Sequence, residues 1–219
     1  MKRNLRFWTR HTWETAGVEL VVVAVFSAVT ILSSNGLDWS LFFSTVPFFL
    51  VVSAVFCLIL INSSTQMLYN PLLLSMGETR RNVFFGSCYF RVLVIGVTIV
   101  LCGIVWLIAP NAVSDAGLGS LSNILAILLA ASSIGNLFGT LYVKWKWLGV
   151  ILLTLTGGVV GGMSGMLIST GIQLEQTGVL KAASFLRELP WWFSLIAAAL
   201  LAADLFFHWM LLRRQEVKL

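Results

Sequence analysis

Long apolar runs separated by short polar segments occupy almost the whole chain. Six of them, roughly residues 16–34, 41–61, 92–109, 121–141, 148–170 and 191–212, are close to the length of about 20 residues that a helix needs to cross about 30 Å of hydrocarbon. The runs are continuous, not alternating, and in lipid only helices and closed barrels satisfy their own backbone. The pattern predicts an all-α integral membrane protein with six transmembrane helices.

Ahead of the first run, residues 1–15 show a different period. At about 100° per residue, Lys2, Arg3, Arg6 and Arg10 gather on one side and Leu5, Trp8 and Thr12 on the other. This predicts an N-terminal interfacial amphipathic helix, 1–15, lying on the inner leaflet, followed by a six-helix domain over 16–219. A disordered basic tail that only enforces topology is the alternative. A basic start before an apolar run also opens a signal peptide, but no A-x-A-like site follows, so the run is read as an uncleaved first helix.

Composition agrees with this reading. Hydrophobic residues make up 58% of the 219 and charged residues 11%, against about 25% charged in soluble domains. Alternate connections carry very different charge. One set holds Lys2, Arg3, Arg6, Arg10, Arg80, Arg81, Arg91, Lys144, Lys146, Arg213, Arg214 and Lys218, and the other only Lys181 and Arg187. The positive-inside bias then places both termini in the cytoplasm. The net charge of +5 is topological, facing membrane lipid, and implies no nucleic-acid partner. Cys57, Cys88 and Cys102 fall within spans or the inner loop and read as small apolar side chains, not disulfides.

The 62–91 connection is too long for a turn. Asn70-Pro71 can open a short helix, Leu72 to Met76 give it an apolar surface, and Gly77 can end it. Thr79 is a candidate N-cap for a second helix starting at Arg80 and running into the third span. A docking role for a soluble partner and a plain hairpin whose arginines are topological anchors both fit these residues.

Ionisable residues inside spans cost at least about 2.5 kcal/mol to insert and are therefore functional candidates. Three occur: Glu19 in the first span, and Asp204 with His208 at i, i+4 in the sixth. A structural pair and a substrate or proton site both remain open. In the fifth run, Gly157, Gly161 and Gly165 stack at four-residue spacing with Gly158 and Gly162 beside them, a pattern for close helix packing within one subunit or across a dimer. Residues 171–190 form a longer outer segment that could re-enter the membrane. No H-E-x-x-H, G-x-S-x-G or phosphate-binding Gly-Lys-Ser/Thr loop is present, and two histidines do not make a typical zinc site. The sequence therefore predicts no enzyme, no catalytic residue, no metal and no cofactor held by this chain.

The stretch PLLLSMGETRRNVFFG, residues 71–86, resembles the cytoplasmic coupling segment of small bacterial ATP-binding-cassette exporter permeases of the second type. The elements of the likeness are the apolar run, Ser75, Gly77, Thr79-Arg80-Arg81 and Phe84-Phe85-Gly86. The six-span layout with an interfacial leader agrees with that family. The resemblance implies a multi-pass permease subunit of the bacterial cell membrane, forming a homodimer or heterodimer. A separate nucleotide-binding ATPase subunit, which carries the ATP and Mg, would dock on Pro71, Leu72, Leu73, Leu74, Ser75, Met76, Gly77, Glu78, Thr79, Arg80 and Arg81. It also implies export, with amphipathic peptides or other lipophilic compounds as substrates. Two rivals are the substrate-binding membrane subunit of a vitamin importer and an ion-coupled carrier or channel built on Glu19, Asp204 and His208.

Overall fold

The computed structural model describes residues 2–33, 39–108, 121–152, 154–155, 157–158 and 190–214. They are helical apart from a few turn and junction residues. The helices are α1 (Lys2–Ser33), α2 (Trp39–Ser64), a π-helical turn (Thr65–Tyr69), α3 (Asn70–Ser75), α4 (Arg80–Ile108), α5 (Leu121–Lys144) and α6 (Trp191–Arg214). Residues 146–152 are also helical.

Four stretches among the described residues are long and apolar enough to cross a membrane: Phe49–Ser75, Arg80–Ile108, Ser122–Lys144 and Trp191–Arg213. They correspond to the second, third, fourth and sixth apolar runs. The first run lies in α1, whose far side chains are outside the described residues, as is most of 148–170 and all of 171–189. The leader and the first run form one helix, with no turn between them.

Helix α5 packs between α2 and α6, and α1 packs against α2 and α4. The core joins Trp8 of α1, Leu50, Ala54 and Leu58 of α2, Val83, Phe90 and Val94 of α4, Leu128 of α5 and Leu212 of α6. The outer surface stays apolar: Val92, Val100, Ile104 and Leu107 make one exposed stripe of α4. Large apolar side chains facing outward around buried Asn, Gln, Arg and Asp reverse the distribution of a water-soluble domain and are compatible with a membrane protein.

The polar segment after the second run is not a loop. α2 continues three residues past the expected end at 61, and the π turn leads directly into α3. Ser63 and Ser64 both donate to the Leu60 carbonyl and Thr65 to that of Ile61, each at 2.8 Å. These hydroxyls compete for the carbonyls that the next helical turn would use, a local cause for the wider π register. Hydropathy places the end of the span too early because the residues that follow are polar yet buried.

α3 and the bend that follows match the expectation closely. The Gly77 amide donates to Leu74 O and the Glu78 amide to Leu73 O, both at 3.1 Å, with Gly77 at φ 85°. That pair of bonds around a left-handed residue is the Schellman ending, which glycine adopts without a Cβ clash. Thr79 Oγ1 then accepts from the Asn82 amide at 3.3 Å at the start of α4.

Close approach of helices occurs at Gly135 and Gly139 of α5. A Cβ on Gly135 would lie 2.6 Å from the Ile59 backbone, and one on Gly139 would lie 2.7 Å from the Ser63 carbonyl. The G-x-x-x-G spacing on α5 thus seats it against α2. Gly157 and Gly158 face open space, while Gly161, Gly162 and Gly165 lie outside the described residues.

Candidate functional site

Where α2, the π turn and α3 meet α4, α5 and α6, eight polar side chains are buried together. Asn62, Gln66 and Asn70 stand at four-residue intervals, so they share one face of the continuous helical segment. Ser132 and Asn136 do the same on α5. Asn62 Nδ2 donates to Ser132 Oγ at 3.1 Å, and Gln66 Nε2 to Asn136 Oδ1 at 2.6 Å. The contact at Gly135 and Gly139 brings the backbones close enough for these short side chains to meet.

From that seam the polar contacts close into a ring. Asn136 Nδ2 donates to Asp204 Oδ1, and Arg91 Nη1 donates to Asp204 Oδ2 in a buried ion pair. Arg91 Nη2 lies 3.5 Å from His208 Nδ1, and His208 Nε2 lies 3.3 Å from Asn70 Nδ2. Asn70 Nδ2 also donates to Gln66 Oε1 at 3.1 Å. Gln66, Asn70, Asn136, Asp204 and His208 are fully buried, and Arg91 is 4% exposed.

Two expectations change here. The sequence spacing puts Asp204 and His208 on one helix face as a pair; the structure joins them through Arg91, with Asn136 and Asn70 on their other sides. The charge pattern makes Arg91 a positive-inside anchor, but it is buried and paired with Asp204, 113 residues away. A buried charge needs a buried partner, so the lone Asp204 in the sixth run and the arginine immediately before the third, Arg91, were a recoverable signal. The four-residue spacing of Asn62, Gln66 and Asn70 was another. Glu19 lies apart from this ring, 1% exposed, with Oε1 accepting from Thr98 Oγ1 at 3.3 Å.

The expected docking segment divides into two faces. Leu73 and Leu74 belong to the core, whereas Pro71, Leu72, Ser75, Met76, Gly77, Thr79, Arg80 and Arg81 are exposed. Leu72 and Met76 border a groove of about 310 Å³ that Phe7, Glu78 and Asn82 also line. Glu78 accepts from Asn82 Nδ2 at 3.2 Å. The two arginines differ: Arg80 Nη1 donates to the Arg213 carbonyl at the end of α6, at 2.8 Å, and the Arg81 guanidinium lies over the Phe85 ring at 5.6 Å.

The leader packs beside the same segment. Trp8 is fully buried, and His11 sits between Tyr69 and Phe90 with ring centroids 4.9 and 5.2 Å away. Arg6 and Arg10 of the predicted basic side are exposed, and the side chains of Lys2 and Arg3 lie outside the described residues. Burial holds the His11 imidazole below its ordinary range, opposed by Glu14, whose carboxylate is 3.8 Å away.

No protein-family model, curated protein or solved structure matches this chain. Among the described residues no cluster of three or more His, Cys, Asp or Glu is placed to hold a metal.

Proposed function

We propose that this chain is the six-span permease subunit of an ATP-driven exporter in a bacterial cell membrane, both termini cytoplasmic. A separate nucleotide-binding subunit, which carries ATP and Mg, docks on residues 71–81, and the permease works as a dimer moving amphipathic or lipophilic compounds. The observation that supports this most is the form of the α3 segment. It is a six-residue helix with a glycine stop, apolar and exposed at Leu72 and at its C-cap Met76, and followed by exposed Arg80 and Arg81. Its first residue, Asn70, is bonded within the buried ring. A push on α3 would therefore reach α4, α5 and α6 through hydrogen bonds instead of dissipating in a loop.

Because Arg80 also holds the end of α6, the sharper test changes Leu72 and Arg81. Leu72→Asp with Arg81→Glu is expected to abolish co-purification of ATPase activity from the native membrane while leaving helicity unchanged. Undiminished ATPase recovery with this variant would overturn the docking assignment.

A second reading rests on the ring itself: charged residues at this depth also serve ion-coupled carriers. It predicts gradient-driven flux by the purified chain alone in liposomes, lost in Asp204→Asn. Strict dependence on ATP and a partner would exclude it.

A further inference from the structure

The ring has a hydrogen-bond sense, and that sense can be traced from its one fixed donor. Arg91 has donors only, and it contacts the ring twice, at Asp204 Oδ2 and at His208 Nδ1. With Asp204 ionised, Oδ1 must accept, so Asn136 presents its NH2 there and its carbonyl to Gln66. Gln66 then presents NH2 to Asn136 and its carbonyl to Asn70, and Asn70 presents NH2 to both Gln66 and His208 Nε2. Nε2 must accept, so a neutral imidazole carries its proton on Nδ1, directly facing the Arg91 Nη2 donor. Two donors meet there, and that contact, at 3.5 Å, is the longest in the ring. No arrangement of the three amides removes the mismatch while Asp204 is a carboxylate.

One added proton removes it. With Asp204 protonated on Oδ1, the acid donates to Asn136 Oδ1, and the amides of Asn136, Gln66 and Asn70 turn over in step. Asn70 now presents its carbonyl to His208, Nε2–H donates to it, and Nδ1 is free to accept from Arg91 Nη2. Every contact around the ring then pairs a donor with an acceptor. The two senses differ by one proton in all: Asp204 gains one, and the imidazole keeps one, carried on Nε2 instead of Nδ1.

We infer that this ring is a binding site for a single proton, which resides on Asp204 and reverses the three amides and the tautomer of His208. The titratable or charged groups that face Asp204 among the described residues are Arg91 and Cys88 from α4 and His208 from its own helix; α5 and the 62–70 segment offer only the neutral Asn136, Gln66 and Asn70. The site is independent of which transport reading holds, because it depends only on this chain.

The test uses the purified full chain and two spectroscopic probes. Substituting Asp38→Asn and Asp115→Asn leaves Asp204 as the sole aspartate, so [4-13C]aspartate labels it alone in infrared spectra. His11→Gln leaves His208 as the sole histidine for 15N magnetic resonance, which separates Nδ1–H from Nε2–H. Over the pH range in which helicity is unchanged, acidification is expected to bring in the labelled band of a neutral acid and, over the same interval, to move His208 from Nδ1–H to Nε2–H. Asp204→Asn, whose amide supplies the reversed sense permanently, is expected to hold Nε2–H at every pH. A labelled group that stays ionised throughout would overturn the inference. So would an acid band with an unchanged tautomer, or an imidazole that becomes doubly protonated instead.

Discussion

Arg91 of α4 and Asp204 of α6 form a buried ion pair, and Asn136 holds the second carboxylate oxygen. A pair of this kind contributes little net stability, because desolvating both charges offsets their attraction, but removing one partner strands the other. Arg91→Leu is therefore expected to cost about 3–5 kcal/mol. Adding Asp204→Leu should cost much less than the sum of the two single changes. Thermal unfolding of the three variants in one detergent measures this, and strict additivity would refute the pairing.

Shape should outweigh hydrogen bonding along the α2–α5 seam. A side-chain hydrogen bond between membrane helices averages about 0.6 kcal/mol. Overpacking a close contact costs about 1–3 kcal/mol. Gly135→Ala, which forces a Cβ to 2.6 Å from Ile59, should thus lower the melting temperature more than Ser132→Ala, which removes a bond to Asn62. The reverse order would show that the helices yield easily there.

Gly77→Ala isolates the backbone term at the α3 bend. A Cβ there meets nothing within 4 Å, so only the φ of 85° is penalised. A loss of about 1 kcal/mol is expected from the left-handed backbone alone. Gly77→Asn should recover part of it, since Asn tolerates that region better. Chemical or thermal unfolding of the two variants compares them.

His11 gives a pH dependence with a definite sign. Its folded-state pKa lies below the unfolded value of about 6.5, so the unfolded chain takes up a proton first on acidification. Stability from this residue is complete above about pH 6.5 and falls as pH drops through the lowered pKa. The slope from this one group is at most about 1.4 kcal/mol per pH unit. His11→Phe, which keeps the ring between Tyr69 and Phe90, is expected to flatten that part of the melting-temperature profile. An unaltered profile would remove His11 as the cause.

Much of the architecture was written into local pattern. Run length and hydropathy located four of the long helices, and Asn70-Pro71, Gly77 and Thr79 marked α3, its Schellman ending and the start of α4, because caps and turns depend on residues within a few positions of each other. In the leader, the helical period separates exposed Arg6 and Arg10 from buried Trp8 and Thr12, and that period is local. Arg80 and Arg81, in contrast, look equivalent in sequence and were separated only by α6, whose last carbonyls lie 133 residues on.

The ring belongs wholly to the tertiary structure. Sequence alone puts Asp204 and His208 on one helix face; the four-residue recurrence of Asn62, Gln66 and Asn70 is in the sequence too, but nothing local marks it as buried. Which buried donor each acceptor meets depends on how α2, α4, α5 and α6 are set against one another, and that setting comes from the two glycines of α5 and the apolar core beneath them. Apolar surroundings supply no hydrogen bonds, so once the helices are placed their buried polar groups must find each other. Composition determined that such groups would be few and inside, and only packing decided that they close on themselves around Arg91.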